Sequence, residues 1–385
     1  MPNAPHAELD PFAATVRGIG EPHPAHAALR ALGPIVHADA PAGGPVWIVT
    51  DYALAREVLA HPDIVKDPAY APAHWDPRSA GLEPTAAAQP SLTTLDGPPH
   101  ERLRRAHAPL FTARRMRDHH GPITTIARTL LAELAATGET VDLMADLTTR
   151  FPLTVVSEVL GIPLDMVDQA MAACRGMHSN RPQDVAAAMA AFAELAAAAL
   201  RDGQDGIAVE LRDRVPAEMT EEQVHYLLFT LIYAGQLTTD AVLGFLLAHL
   251  LDPDRAADRP PTDELVRETL RLHPPAPFTL WRFTATDVEL AGVGLPARSP
   301  VLVDIRGINT DPGRPAGPDL AFGAGPHYCT GAQLAHLELS AIVEVLRTDF
   351  PDARLAVPFA DLRQITVGGI QGSRLAALPV TLGAA

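Results

Sequence analysis

The chain has 385 residues, a formal net charge of −16 at pH 7 and a hydrophobic fraction of 47%. The acidic excess argues against nucleic acid or an anionic membrane surface as a partner, since both require a basic face. Two cysteines are too few for a disulfide framework and indicate a reducing compartment, the cytoplasm. The N-terminal residues MPNAPHAELDPF lack the basic stretch and apolar run of a signal peptide or anchor. No Pro/Gly/Ser-rich linker separates two periodic halves, so we expect one domain over residues 1–385.

The early chain predicts a small sheet beside helices. Short β-branched runs at residues 35–37 and 46–49 are separated by the turn-rich APAGGP. Thr50 is a plausible N-cap for a helix over residues 51–60. Residues 61–95 are rich in Pro and Ala with little periodicity, which predicts a loop. We therefore expect a mainly α fold with a smaller β region, an α+β protein.

The segment DGPPHERLRR places two proton-donating side chains on one helix face. His100 and Arg104 are one helical turn apart, so both can reach a single anion. Basic residues continue through the following FTARR. Together they are either a solvated helix face or a docking patch for an acidic electron donor, formed by Arg102, Arg104, Arg105, Arg114, Arg115 and Arg117.

A very long apolar helix is predicted to begin after Thr220, which forms a capping-box pattern with Gln223. Gln236, Thr238 and Asp240 interrupt its middle, where polar and charged groups are most costly in a bilayer. This argues against a membrane span. Thirty residues make a rod of roughly 45 Å, long enough to cross a domain of this size.

Two weaker patterns follow. Glu268 and Arg271 form an i, i+3 pair, a spacing at which exposed pairs contribute only a few tenths of a kcal/mol. Arg282 follows the Pro-rich turn HPPAPFTLW. Neither pattern identifies a site alone, but Glu268 lies 61 residues before a distinctive cysteine.

That cysteine, Cys329, lies in the stretch FGAGPHYCTG, just before a predicted helix from Leu334. A helix N-terminus stabilises a thiolate, the form that binds metal. Gly325 permits a sharp turn ahead of the cysteine, Gly331 permits close approach of a flat macrocycle, and Phe322 shields the sulfur. We interpret Cys329 as an axial thiolate ligand to haem iron; the alternative is a buried structural cysteine.

The pattern Phe322-x-x-Gly325-x-x-x-Cys329-x-Gly331 resembles the haem-binding loop of bacterial cytochrome P450 monooxygenases. The DGPPHERLRR segment, the long helix and the Glu268/Arg271 pair resemble further motifs of that family. The resemblance implies a triangular helical domain around haem b with a thiolate on iron. It also implies that His100, Arg104, Arg282 and His327 hold the haem propionates, and that the Glu268/Arg271 pair is a structural salt bridge.

The same resemblance assigns the middle of the long helix to the distal side of the haem. There Ala234 and Gly235 would leave space for dioxygen, and Thr238 would bond back to the Ala234 carbonyl and assist proton delivery. The resemblance places the substrate pocket along the loop of residues 75–92, the helices near residues 177–189, and an apolar set formed by Leu231, Leu237, Pro277, Phe278, Leu280, Ile370 and Gln371.

The chain departs from the family at two places. Where A-G-x-[DE]-T carries a carboxylate, this chain has Leu237. Asp240 or Gln236 could relay protons with ordered water, the substrate could supply the polar group, or the reaction could depend less on O–O cleavage. The family's N-R-D-P is Asn309-Thr310-Asp311-Pro312, which leaves Arg314 as a candidate third partner for the Glu268/Arg271 pair.

The resemblance implies a soluble, cytoplasmic, monomeric monooxygenase that receives electrons from ferredoxin and ferredoxin reductase. Its expected substrate is a medium-sized apolar or aromatic small molecule of secondary metabolism; we expect no nucleic acid and no membrane as partners. One alternative is an oxidase or peroxide-using relative that forms C–C, C–O or C–N bonds. An alternative of another class is a non-catalytic haem-binding sensor or recruitment domain.

Overall fold

A computed structural model describes residues 4–77, 79–81, 89–179, 181–203, 206–255 and 259–383. Within these ranges helices predominate and the strands are short, as expected for an α+β protein. Part of the expected pocket, residues 78, 82–88 and 180, lies outside the described residues.

The α-helices, in chain order, are α1 (Pro24–Leu32), α2 (Tyr52–Ala60), α3 (Gly97–His107), α4 (Ala113–Asp118), α5 (His120–Ala135), α6 (Leu143–Asp146), α7 (Arg150–Leu160), α8 (Val167–Met177), α9 (Pro182–Asp202), α10 (Ile207–Arg214), α11 (Glu221–Leu250), α12 (Thr262–Leu272), α13 (Ile305–Asn309) and α14 (Ala332–Asp349). The strands are β1 (Thr15–Gly18), β2 (Ile35–Asp39), β3 (Pro45–Val49), β4 (Ile64–Val65), β5 (Val141–Asp142), β6 (Arg282–Thr284), β7 (Val288–Leu290), β8 (Val293–Leu295), β9 (Pro300–Val303), β10 (Arg354–Leu355), β11 (Arg363–Thr366), β12 (Arg374–Leu375) and β13 (Pro379–Thr381).

Contacts divide the chain into two units. The sheet unit comprises Met1–Glu101, Glu268–Cys329 and Gln364–Ser373. The helical unit comprises Arg102–Arg267, Thr330–Arg363 and Arg374–Ala385. The expectation of a single domain over residues 1–385 stays a prediction.

The sheet unit is built around a five-stranded sheet in the order β2-β3-β9-β6-β4. β3 and β9 pair in parallel, and the other neighbours pair antiparallel. Ile35, Val49 and Val301 lie in one apolar cluster, whereas Val36, Ile48 and Leu302 lie in a second. Since successive side chains of a strand point to opposite faces, the sheet is buried on both faces.

The hairpin predicted at residues 35–37 and 46–49 is present as β2 and β3. The helix that follows begins one residue later than expected, because Asp51 rather than Thr50 is its N-cap. The Asp51 carboxylate accepts a hydrogen bond from Leu54 N–H at 2.8 Å, while the Thr50 hydroxyl donates to the Gly33 carbonyl. Both side chains are capping types, so the sequence could not separate them.

The helical unit packs α7, α9 and α14 against the long α11. The capping box predicted at its start is complete: Thr220 Oγ1 accepts from Gln223 N–H, and Gln223 Oε1 accepts from Thr220 N–H. Two helices, α9 and α11, are long and apolar enough to cross a membrane. In α11 the apolar positions are mostly buried inside the protein, which accounts for its composition without a bilayer.

Candidate active site

The loop before Cys329 is shaped by two glycines with positive φ, Gly323 at 73° and Gly325 at 69°. A Cβ on Gly325 would lie 2.6 Å from the Leu59 carbonyl oxygen, so this position excludes a side chain. Phe322 O accepts a hydrogen bond from Cys329 N–H at 3.0 Å, which closes the loop. The Cys329 side chain is exposed. The following helix, α14, begins at Ala332, two residues before the expected start.

The second cysteine lies in a different environment. Cys174 is buried in α8, and burial raises the pKa of its thiol to about 12, with a further increase from Asp240. A thiol held neutral in this way is inert as a metal ligand or nucleophile. The exposed Cys329 is therefore the better candidate for a thiolate.

A group of buried ionisable side chains surrounds Asp96 in the sheet unit. One carboxylate oxygen of Asp96 accepts from the N–H groups of Lys66 (2.7 Å) and Asp67 (3.0 Å), and the other lies 3.0 Å from His327 Nε2. Burial opposes ionisation of Asp96, but these hydrogen bonds outweigh it and lower the pKa of the carboxyl. Asp96 is thus an anion whose two oxygens are already engaged.

Two buried cations share this group. Lys66 and Arg282 are 9% and 3% exposed. Burial lowers the pKa of Lys66 to about 7, aided by the charge of Arg282, and lowers the pKa of Arg282 to about 10. Arg282 Nε has no hydrogen-bond partner among the described residues, and Nη1 reaches only the Ile64 carbonyl, at 3.5 Å.

This group therefore carries more positive than negative charge in a buried place. Such an arrangement is costly unless anions complete it. The two carboxylates of a haem would do so, and the orphaned Nε of Arg282 supplies a donor for one of them. The residues present fit haem propionates. Sequence reasoning found Arg282 but missed Lys66, because a single lysine after an apolar strand is more often solvated.

The expected propionate partners are not equivalent. His100 is 2% exposed, and its ring centroid lies 4.1 Å from that of His327. Arg104 follows four residues later on α3 and is half-buried. In His327, Nε2 faces Asp96 and Nδ1 faces the Leu92 carbonyl at 3.2 Å. The ring therefore helps to fix Asp96, and its bond to a propionate stays a prediction.

The Glu268/Arg271 pair is formed on α12. Arg271 Nε and Nη2 donate to the two Glu268 carboxylate oxygens at 2.7 and 2.6 Å, and Nη1 donates to the Asn309 carbonyl at 2.5 Å. Arg314 does not fill the role suggested for it. It lies over the Tyr52 ring, 5.2 Å from the centroid, and donates to the Gly317 and Pro318 carbonyls. The third contact of the pair is thus a backbone carbonyl.

The middle of α11 has an open strip. Ala234 and Thr238, one turn apart, are exposed in a helix that is otherwise largely buried. The predicted bond is present, since Thr238 Oγ1 donates to the Ala234 carbonyl at 2.8 Å. At Gly235, a Cβ would lie 2.8 Å from Val156 Cγ2 of α7. Its missing side chain permits close packing of α7 and α11, and its part in leaving space for dioxygen stays a prediction.

Gln236 and Asp240 form a separate buried group. One Asp240 oxygen accepts from Gln236 Nε2 at 3.2 Å and from Thr149 Oγ1 at 3.1 Å, and the other lies 3.5 Å from Arg374 Nη2. At about 100° per residue, both side chains leave α11 roughly 160° from Thr238. Neither can contact the Thr238 hydroxyl directly. Gln236 Oε1 and Asp240 Oδ1 lack hydrogen-bond partners among the described residues, as is typical where ordered water completes a buried group.

A carboxyl group missed by sequence reasoning lies on α14. Glu338 is 1% exposed and hydrogen-bonds the side chain of Thr239, the residue after Thr238. Burial raises the pKa of Glu338 to about 8, so the group is neutral at pH 7. A glutamate within the apolar stretch LAHLELSAIV gives no sign in the sequence that it points inward.

The expected pocket residues differ in burial. Leu280 is 36% exposed, Gln371, Leu231 and Leu237 are half-buried, and Pro277 and Ile370 are buried. Phe278 is 2% exposed and packs against Phe12 and His26, with ring centroids 5.2 and 5.7 Å away. Phe278 is therefore a core residue, and Leu280 is the side chain of this segment available to a ligand.

The expected docking patch is mostly exposed. Arg102, Arg105, Arg114 and Arg117 face solvent. Arg115 instead forms a bidentate pair with Glu210 at 2.8 and 2.6 Å, which raises the pKa of the guanidinium. Its charge is therefore partly neutralised.

Comparisons with known proteins identify one matching family model and several similar proteins. The Cytochrome P450 family model matches residues 253–314. The chain is 41% identical to the cytochrome P-450 monooxygenase DoxA of Streptomyces sp. (strain C5), over 98% of this chain and 99% of that protein. It is 30% identical to a mycinamicin IV hydroxylase/epoxidase of Micromonospora griseorubida, over 87% of this chain and 89% of that protein. It superposes with a TM-score of 0.80 on a putative thioether synthase, SgvP, of the griseoviridin tailoring step, at 28% identity and 98% coverage of both chains.

Proposed function

Since the chain belongs to the cytochrome P450 family and is a haem-thiolate monooxygenase of bacterial secondary metabolism, we propose that it hydroxylates a medium-sized apolar or aromatic small molecule. Dioxygen is the oxidant, and a ferredoxin supplied by a ferredoxin reductase is the electron donor. The observation that carries this proposal is the open strip of α11, where Ala234 and Thr238 are exposed in the middle of a buried helix.

The residues have separate roles in this proposal. Cys329 would ligate the haem iron, from a loop closed by its own N–H bond to Phe322. Lys66, Arg282, His100 and Arg104 would bind the propionates together with His327, which also holds Asp96 in place. A haem with a thiolate ligand, when bound, supplies the activation of dioxygen. Thr238 holds a proton at its hydroxyl beside the open strip, with Ala234 as its acceptor.

Proton delivery differs from the family's pattern because Leu237 replaces the usual acid. Gln236 and Asp240 would reach Thr238 only through ordered water, and each has one buried oxygen without a hydrogen-bond partner among the described residues. The substrate itself remains the competing source of a polar group. Leu231, Leu237, Leu280, Ile370 and Gln371 are proposed to contact the substrate, which is apolar on the faces they touch.

Electrons enter through the exposed arginines Arg102, Arg105, Arg114 and Arg117. They form a basic patch on a chain of net charge −16, so an acidic ferredoxin would be guided to this patch. We further propose that the protein is a monomer and that it is cytoplasmic, in line with two cysteines that form no disulfide with each other.

An alternative is oxidative bond formation. The observation favouring it is the apolar Leu237 at the position of the family's acid, together with the similarity to a putative thioether synthase. With hydrogen peroxide as the oxidant, cleavage of the O–O bond would need no proton from a protein acid, because the peroxide brings both of its own.

The experiment uses the haem-loaded protein with a plant-type ferredoxin, its ferredoxin reductase and NADPH. A panel of apolar and aromatic compounds is screened for displacement of the iron's water in the absorption spectrum, and products of the best ligand are analysed under ¹⁸O₂. One ¹⁸O atom in the product supports hydroxylation. A product that has lost hydrogen and gained no oxygen would establish the coupling alternative instead.

A further inference from the structure

A turn of residues 366–373 lies close to the segment of residues 274–280, and both contain proposed substrate contacts. A Cβ on Gly372 would lie 2.2 Å from the Pro275 carbonyl oxygen, and one on Gly368 would lie 3.0 Å from the Phe12 carbonyl oxygen. Gly369 N–H also donates to the Phe12 carbonyl at 2.9 Å. The turn is therefore packed backbone to backbone on two sides.

One hydroxyl anchors the end of this turn. Ser373 Oγ lies 2.7 Å from Thr366 Oγ1, which closes the turn across its base. Two arginines donate to the same oxygen, Arg17 Nη2 at 3.3 Å and Arg306 Nη1 at 3.4 Å. All three polar residues, Ser373, Arg17 and Arg306, are buried, at 8 to 9% exposure.

Arg306 also holds the neighbouring segment, through its main chain. Arg306 N–H donates to the Pro277 carbonyl at 3.0 Å, three residues before Leu280. Thr279 N–H donates to the Val303 carbonyl at 3.1 Å, which extends the connection along β9 toward Arg306. A single residue at the start of α13 thus connects the turn and the segment.

The charges in this cluster make it a poor source of stability. Two buried guanidinium groups, those of Arg17 and Arg306, converge on one neutral oxygen. Burial lowers the pKa of both groups, that of Arg306 to about 10. The nearby carboxylate, Asp304, accepts from Gly307 N–H at 2.9 Å and lies 2.7 Å from His26 Nδ1. Since apolar residues would stabilise such a place better, the arrangement is better explained by the geometry it imposes.

We propose that Arg306 is a positioning residue for substrate recognition, which fixes the Ile370–Gln371 turn against the segment that carries Leu280. The proposal rests on the proposed function, because it takes these residues as substrate contacts. In this role Arg306 acts through Ser373 and not by its own contact with substrate or haem. The spacing between turn and segment, and hence the size of ligand admitted, depends on its guanidinium.

Two azoles test this in the haem-loaded protein. Imidazole is small enough to bind iron without touching the walls, whereas clotrimazole is large enough to contact them, and both shift the Soret band. Arg306→Met keeps the main-chain bond to Pro277 but releases Ser373. We expect the Kd of clotrimazole to rise about tenfold, as for loss of a charged buried hydrogen bond, and that of imidazole to change less than twofold.

Three further variants distinguish a positioning role of Arg306 from a general effect on the stability of the protein. Arg306→Lys keeps a charged donor and should retain most of the affinity for clotrimazole, while Ser373→Ala removes the acceptor and should weaken clotrimazole alone. Arg30→Met is the matched control, because Arg30 Nη1 donates to the Gly307 carbonyl of the same helix without reaching the turn. It should leave both affinities unchanged.

The outcomes distinguish this proposal from the function itself. If neither azole shifts the Soret band of the wild-type protein, the proposed function fails. If the wild type binds both and Arg306→Met and Ser373→Ala bind clotrimazole normally, only the positioning role is overturned. Equal losses for imidazole, or an equal loss in Arg30→Met, would also overturn it. If Arg306→Met does not fold, Ser373→Ala and Arg306→Lys decide the question by the same two constants.

Discussion

The two cysteines differ in the exposure of their side chains. Cys329 is exposed in a loop shaped by two glycines of positive φ, whereas Cys174 is buried with its thiol held neutral. A metal ligand must be deprotonated and reachable, and Cys174 meets neither condition, whereas Cys329 is exposed.

Cys329→Ser should therefore abolish the red-shifted Soret band of the reduced carbon monoxide complex, because an alcohol does not replace a thiolate on iron. Cys174→Ser is the control and should keep the band. The measurement is the reduced, carbon monoxide-bound difference spectrum. An unaltered band in Cys329→Ser would refute the assignment of the ligand.

Lys66 and Arg282 are expected to determine how tightly the protein holds haem. Removing either should leave a propionate without a charged hydrogen bond, at roughly 1.5 to 3 kcal/mol, so Lys66→Met and Arg282→Leu should raise haem loss about tenfold or more. Haem transfer to apomyoglobin measures the rate. Arg56→Leu, an exposed arginine of the same unit, should lose haem at the wild-type rate. Equal retention in both test variants would remove the propionates from this cluster.

Single residues also mark how far the sequence could predict the site. Cysteine, glycine and histidine at fixed spacing carry their chemistry in their identity, so the Cys329 loop and the place of His100 could be read in advance. Lys66 could not, because its role depends on burial between Arg282 and Asp96, residues far away in the sequence. The same holds for His327, whose second contact is a backbone carbonyl.

Among the elements, α11 combines the open strip with the apolar Leu237. Leu237→Asp should supply the missing acid, improve the coupling of NADPH oxidation to product and reduce peroxide release. Thr238→Ala should have the opposite effect, because it removes the hydroxyl beside the strip. Stoichiometry of NADPH, peroxide and product measures both.

Opposite signs at adjacent positions support proton delivery through this strip. Loss of product in Leu237→Asp with ligand binding intact would instead show that the apolar contact of Leu237 with the substrate is the essential one, and would favour the coupling reaction. Unchanged coupling in Thr238→Ala would mean that its hydroxyl serves helix packing alone.

The contact between α14 and α11 predicts a pH effect on stability. Glu338 ionises near its ordinary pKa of 4.5 in the unfolded chain but near 8 when folded, so the folded state binds the proton more tightly. As pH rises from about 5 to 8, its contribution to the free energy of unfolding is lost, by at most about 1.4 kcal/mol per pH unit.

Glu338→Gln lacks this titration and keeps a partner for Thr239. Its free energy of unfolding, measured in urea across pH 5 to 8, should increase relative to that of the wild type as pH rises. Glu344→Gln, on the same helix with a half-exposed side chain, is the control and should follow the wild type. Parallel curves for all three proteins would contradict the raised pKa.

Elements were predictable where their signals are local. The capping box at Thr220, the hairpin of β2 and β3 and the Thr238 bond to Ala234 all depend on residues within a few positions. The direction of Gln236 and Asp240 was missed although helix geometry alone could have given it, since both lie roughly opposite Thr238. The close packing of Gly235 against Val156 could not be predicted, because Val156 lies on another helix.

For the whole molecule, charge governs encounter with the electron donor. Arg105→Glu and Arg117→Glu should slow reduction by an acidic ferredoxin at low salt, and the difference should shrink at high salt as the charges are screened. Stopped-flow reduction under carbon monoxide gives the rate. Arg201→Glu, an exposed arginine on α9, is the control. Equal slowing by all three would reflect net charge alone, and the docking patch would be wrong.

The fold as a whole was predictable from motif order, because the cysteine loop, the Glu268/Arg271 pair and the long helix occur together in one family. The division into two units was not, since it depends on contacts among segments far apart in the chain. The sequence patterns predicted a mainly helical protein with short strands, but they did not predict which residues would be buried.

The contact of Gly235 with Val156 has an evolutionary consequence. Alanine at position 235 collides with valine at 156, and alanine at 156 alone leaves a void beside the glycine. Neither single step is neutral, whereas the double replacement restores contact between α7 and α11. Descendants of this chain should therefore change the two positions together, and an intermediate carrying only the first change should fold less well than either end point.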